Sequence, residues 1–224
     1  MKRSEINSKI REAVEFFNNM NFKLPPWGYW THDDWKRKRE NCDEIFKNQL
    51  GWDLTDFGTG DFAGSGLLLF TIRNGNLKLD QKPYAEKIMI VGEEQVTPMH
   101  FHWSKMEDII NRGGGNLMME LYNSDDNEAF TDQPFEVSMD GIRQTLNAGS
   151  IVRLSPGESI TLKQGLYHKF YGESGKGKVL VGEVSAVNDD HTDNRFFEKL
   201  GRFPEIVEDE LPVHLLVGDY KKYL

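Results

Sequence analysis

The chain has 224 residues, 38% of them hydrophobic, with one cysteine and a formal net charge of −9 from 27 Lys and Arg against 36 Asp and Glu. That length supports one well-cored domain, and the acidic balance argues against a nucleic-acid site, which needs a clustered basic excess. Cys42 stands alone, so no intrachain disulfide forms; the start Met1-Lys2-Arg3-Ser4-Glu5-Ile6 lacks a secretory apolar run, and no stretch is long enough to span a bilayer, so a cytoplasmic protein with no nucleic-acid or membrane partner is expected.

Ile6, Ile10, Val14 and Phe17 recur at helical spacing and predict an amphipathic helix over 4–20 capped by Ser4. Pro25-Pro26 and Gly28 end it in an extended link. Thr31, with Asp33 and Asp34 in the first turn, predicts the cap of a second helix running through Trp35, Cys42, Ile45 and Phe46 to a stop at Gly51. Cys42 falls on its apolar side, and the cluster Lys36-Arg37-Lys38-Arg39 is a solvated face beside Glu40, Asp43 and Glu44. Two helices bury little by themselves, and the density of Phe22, Trp27, Tyr29, Trp30 and Trp35 implies that this arm packs on the remainder of the chain.

Beyond Gly51 the texture changes. Short runs rich in β-branched and aromatic residues begin with Leu67 to Arg73, stopped by the hairpin signal Asn74-Gly75, and continue at 87–91, 96–103, 117–122, 135–139, 142–146, 151–154, 159–162, 167–171 and 178–184. Turn residues such as Asp140-Gly141 and Pro156-Gly157 separate them, and no helical pattern intervenes, which indicates a sandwich or barrel. The expected organisation is a single domain: a helical arm at 1–58, a β core at 60–184, and a C-terminal loop and arm at 185–224. That loop, Ser185 through Asn188, Asp189, Asp190 and His191 to Arg195, is polar enough to rim a site for a polyhydroxylated ligand.

The chemistry concentrates in Met99-His100-Phe101-His102-Trp103-Ser104-Lys105-Met106-Glu107. In a strand His100 and His102 share a face, and a bend after Trp103 returns Glu107 beside them; His168, in a second strand-like run, is the best fourth ligand. The competing reading is a strand edge with two solvated imidazoles. Glu107 and the later His168 tip the balance to a metal. His32, His191 and His214 have no partner at ligand spacing.

Two such boxes on separate strands of an antiparallel barrel resemble cupins over about residues 60–184. The resemblance implies a mainly β fold, a cupin-type barrel (jelly roll) with an N-terminal arm of two α-helices. The Asn that often closes the second cupin box is missing after His168, and Gly92 lies far ahead of the first His, so the chain looks like a divergent subgroup. From end to end, Leu24-Pro25-Pro26, Gln49-Leu50-Gly51-Trp52-Asp53, Thr55-Asp56-Phe57-Gly58, His100-Phe101-His102, Lys105-Met106-Glu107, Asn188-Asp189-Asp190 and Asp193-Asn194-Arg195-Phe196 resemble the bacterial D-lyxose isomerase family. That resemblance implies a homodimer with a metal, usually manganese, held by three His and one Glu that map to His100, His102, Glu107 and His168. It also implies interconversion of D-lyxose with D-xylulose and of D-mannose with D-fructose.

The residues suit such a reaction. A divalent ion with open positions can chelate adjacent sugar oxygens and stabilise an enediolate, and this ligand set accepts Mn2+, Fe2+, Co2+, Ni2+ or Zn2+. Lys105 is a candidate acid or oxyanion partner, with an exposed loop lysine as the alternative. Glu183, in an otherwise apolar strand, is a candidate base if it faces inward. Lys87 has the same ambiguity as a sugar contact, and Asp190, Asp193 and Arg195 are candidate hydroxyl partners. An Fe(II) cupin dioxygenase and a non-catalytic sugar-binding cupin remain as alternatives; the acidic run 188–193 favours a free pentose or hexose over a phosphosugar.

Overall fold

A computed structural model describes residues 1–76, 81–187, 189, 192–201 and 203–224. Its helical arm contains α1 (Arg3–Asn19), a 3-10 turn (Pro26–Tyr29), α2 (His32–Lys38) and α3 (Asp43–Lys47). The barrel follows as β1 (Gly51–Thr55), β2 (Leu67–Arg73), β3 (Tyr84–Val91), β4 (Thr97–Phe101), β5 (Glu107–Gly114), β6 (Leu117–Asn123), β7 (Phe135–Met139), β8 (Ile142–Leu146), β9 (Ser150–Leu154), β10 (Ser159–Leu162), β11 (Leu166–Gly172), β12 (Val179–Ala186) and the two-residue β13 (Arg195–Phe196). A short α4 (Tyr220–Tyr223) closes the chain. Among the described residues no helix is long and apolar enough to cross a membrane.

Among the described residues, eight strands form one sheet in the order β1-β2-β3-β12-β5-β10-β7-β8, and five form the other in the order β13-β4-β11-β6-β9. All the ladders are antiparallel. Period-two alternation decides which side chains enter the space between the sheets. On β12, Val179, Val181, Glu183 and Ser185 are buried, while Val184 is exposed. Met89, Val91, Ile109, Met119, Leu121, Phe170 and Val181 pack the closed part of that space.

The outer face of the larger sheet is covered by α1. Ile6, Ile10, Ala13 and Phe17 lie against Trp52, Leu54, Phe70, Ile88 and Leu180, and each large apolar side chain buried there contributes roughly 1.5–3 kcal/mol. Phe17 stacks on Trp52 with ring centroids 5.9 Å apart. The arm thus packs on the barrel, as its aromatic density predicts.

Three local readings differ. The cap of α1 is Lys2, whose N–H donates to Glu5 at 2.7 Å; Ser4 is inside the helix with its hydroxyl donating to Asp209. The second helix breaks after Lys38, because Asn41 takes a left-handed φ of 67°, so half-buried Cys42 becomes the cap of α3. Gly51 opens a strand at φ 129°, where a Cβ would lie 2.3 Å from the Tyr220 hydroxyl. The Asn74-Gly75 signal does join antiparallel neighbours, through a longer connection that includes residues 77–80, outside the described set. The tail is an arm, bridged at Lys2–Val207 and Trp52–Leu216.

Candidate metal centre

His100 on β4 and His168 on β11 are cross-strand partners, so the ladder itself brings two imidazoles face to face. Their ring centroids are 4.1 Å apart, and His102, just past the end of β4, comes within 5.1 Å of His100. One ligand atom from each of the three lies within 4.8 Å of the others. Glu107 starts β5 in the opposite sheet, and its Oε1 is 3.3 Å from His102 Nε2 and 3.2 Å from His168 Nε2. Neighbouring donors about 2.1 Å from a shared ion stand roughly 3 Å apart, so these spacings fit a cation.

Hydrogen bonding points the same way. The Nδ1 atoms of His100, His102 and His168 lie 2.7, 2.7 and 3.0 Å from the carbonyls of Pro98, Asp193 and Leu166. A carbonyl only accepts, so each Nδ1 carries the proton and each Nε2 lone pair turns inward, as metal-ligating imidazoles require. Glu107 Oε1 and His168 Nε2 are buried without any hydrogen-bond partner. Leaving such groups unsatisfied costs about 1–3 kcal/mol or more each, a cost that a bound cation would remove. Burial, then the adjacent His168 and His102, hold the His100 imidazole well below its ordinary value, which keeps it in the neutral, metal-binding form. For Glu107 burial works against ionisation, but the Lys105 ammonium together with His102 and His168 outweighs it and holds the carboxyl well below the usual carboxylate range.

Behind the ligands sits a charged row. Lys105 Nζ donates to Glu107 Oε2 at 2.7 Å and to Glu183 Oε1 at 2.9 Å. Lys87, the cross-strand partner of Glu183, brings its Nζ to 3.5 Å from the same oxygen, and the Ser185 hydroxyl is 3.1 Å from it. Glu183, Lys87 and Lys105 all face inward and line one cavity with the four candidate ligand residues. Asp193 and Arg195 do not line it. The Asp193 carboxylate accepts the N–H groups of Ser104 and Lys105, and Arg195 pairs with Glu128 at 2.6 Å. Asp190 and His191 lie outside the described residues, as does Asn188.

Sequence reasoning missed Asp53, Thr55, Asn194 and Phe196, which complete the cavity wall. For the first two a signal existed. In Gly51-Trp52-Asp53-Leu54-Thr55 the apolar pair faces α1, so period two sends Asp53 and Thr55 to the cavity.

Two antiparallel sheets that bring three imidazoles and a carboxylate to one point at the cavity define a cupin-type barrel with a candidate metal centre. The model of the D-lyxose isomerase family matches residues 1–220, and the chain belongs to that family of aldose–ketose isomerases. It is 50% identical over the full length of both chains to a D-lyxose/D-mannose isomerase of Serratia proteamaculans, and 51% identical, again over both full lengths, to one of Escherichia coli O157:H7. Among solved structures it is similar to the L-ribose isomerase of Acinetobacter sp. DL28 in complex with L-ribose, with a TM-score of 0.59 at 15% identity, covering 89% of this chain and 93% of that one. The ligand-free L-ribose isomerase of Cellulomonas parahominis gives a TM-score of 0.59 at 18% identity, covering 92% of this chain and 98% of that one. At those identities the likeness speaks for the fold.

Proposed function

We propose that the protein is a metal-dependent isomerase of free sugars, converting D-lyxose to D-xylulose and D-mannose to D-fructose. The observation that carries the metal dependence is the pair of buried, unpartnered atoms, Glu107 Oε1 and His168 Nε2, beside two further inward-turned imidazoles. The substrates are supported by the names of the relatives at 50% and 51% identity. Manganese and a homodimer are what the family resemblance adds; the donor set of three His and one Glu also suits Fe2+, Co2+, Ni2+ or Zn2+.

His100, His102, Glu107 and His168 would hold the cation. Once bound, it would supply Lewis acidity at two adjacent sugar oxygens, where negative charge develops as hydrogen moves between carbons. The Glu183 carboxylate takes the proton from C2 of the open-chain aldose and returns it to C1. Lys105 and Ser185 hold that carboxylate in place through Oε1. Lys105 Nζ, between Glu183 and Glu107, is placed to give a proton to O1 as that oxygen becomes anionic and to take one back from the C2 hydroxyl as it becomes the ketose carbonyl, so the transfer closes without net change. Asn194 and Thr55, on the cavity wall, supply neutral hydrogen-bonding groups suited to hydroxyls.

The test is ketose formation from a panel of aldoses on chelator-stripped protein, restoring one divalent ion at a time. D-Lyxose and D-mannose should be converted only after an ion returns, and Glu183→Gln should lower kcat by about 10²–10⁴-fold while retaining the metal. Full activity in stripped protein, or oxygen consumption in place of ketose formation, would overturn the proposal.

A further inference from the structure

His102 and Lys105 lie between β4 and β5, where among the described residues no strand ladder holds the backbone. Asp193 holds it instead. Its Oδ1 accepts the Ser104 N–H at 2.8 Å, its Oδ2 accepts the Lys105 N–H at 2.9 Å, and its own carbonyl accepts His102 Nδ1–H at 2.7 Å. The residue is 8% exposed, so these bonds to a buried carboxylate are of the strong, charge-assisted kind. From the other side the turn before β11 completes the grip, with Gly165 N–H donating to the His102 carbonyl and Gln164 Nε2 to that of Ser104.

We infer that Asp193 is a positioning residue, which fixes the ring of His102 and the backbone of Lys105 from behind the cavity and does not bind sugar. Both carboxylate oxygens are spent on the backbone, and the side chain is absent from the cavity wall, whereas its neighbour Asn194 is on it. The segment is tied down on its far side too, because Arg195 and Phe196 pair with Phe101 and His100 of β4. One short stretch of the C-terminal segment thus braces the first metal box at both of its imidazoles. The inference rests on the isomerase reading for its kinetic consequences, but not for its effect on the metal.

Asp193→Asn keeps one carbonyl oxygen for one N–H and turns an amide N–H toward the other; Asp193→Ala removes both acceptors. With metal-loaded protein and D-lyxose, kcat should fall about tenfold in the Asn variant and about 100-fold in the Ala variant, with KM changed less than about threefold. Metal release to a competing chelator, read without any sugar, should quicken by about 10–100-fold in Asp193→Ala, because the loop that carries His102, and the main-chain carbonyl that orients its ring, lose the carboxylate that ties them together. A rise in KM with kcat intact would make Asp193 a sugar ligand and overturn the inference. So would a lowered Tm with kcat, KM and metal release all unchanged. If Asp193→Ala does not fold, Asp193→Asn carries the test. If the wild type turns over no aldose, faster metal release in the variants still supports the brace while the isomerase reading fails.

Discussion

Arg3, where the helical arm meets the C-terminal tail, and Glu107, at the candidate metal centre, are both charges taken out of water, 0% and 3% exposed. Around Arg3 the bonding is closed at every nitrogen. The guanidinium makes four hydrogen bonds of 2.7–2.9 Å, two to Asp219 and two to Glu208. Around Glu107 it is not. Lys105 satisfies Oε2, but Oε1 has no hydrogen-bond partner, and neither does the facing His168 Nε2. A buried charge network that closes on itself holds chain segments together, whereas one left open in a cavity is shaped for something that arrives later.

That contrast can be broken experimentally. His168→Ala should have the largest effect, removing the bound metal and lowering isomerase activity by at least about 10³-fold, read by elemental analysis and ketose assay; an active, metal-free variant would remove the centre. Arg3→Met should do the reverse. It strands the buried Asp219 and takes the partner from the exposed Glu208, so unfolding in urea should show a loss of about 3–5 kcal/mol, while activity per folded, metal-loaded molecule stays within about twofold. The smallest effect concerns pH. Arg3's hydrogen bonds, against the opposing effect of burial, pull the Glu208 carboxyl from 4.5 down to about 2. A depressed carboxyl stabilises the fold fully above its unfolded value, and that contribution fades as pH falls from about 4.5 through about 2. The stability gap between wild type and Glu208→Gln should therefore narrow across that window; a gap that stays constant would mean the pair contributes nothing through ionisation.

Much of this was legible in the residues, for reasons that differ from one element to the next. The His-x-His spacing of 100 and 102 and the run around His168 announce strands, and strands place alternate side chains on one face, so the meeting of three imidazoles needs only a correct ladder. Glu183 was ambiguous because period two leaves the face undetermined until the neighbouring Val179 and Val181 are seen to fill the interior. Arg195 and Asp193 read as sugar partners because a polar run after a buried strand looks like a rim; what sequence cannot convey is that one finds Glu128 and the other the backbone of a distant loop. The break at Asn41 escaped because its apolar neighbours continue the helical period through a residue whose left-handed backbone ends it.

The four proposed ligand side chains do not belong to one layer: His100, His102 and His168 come from the smaller sheet and its continuation, Glu107 from the larger. A cation gripped by all four would rivet the two layers together across the open end of the barrel, so that occupancy and heat resistance rise and fall in step. Chelators would then act on this molecule as mild denaturants, and a cell's supply of the right ion would govern how long each copy lasts as well as how fast it works.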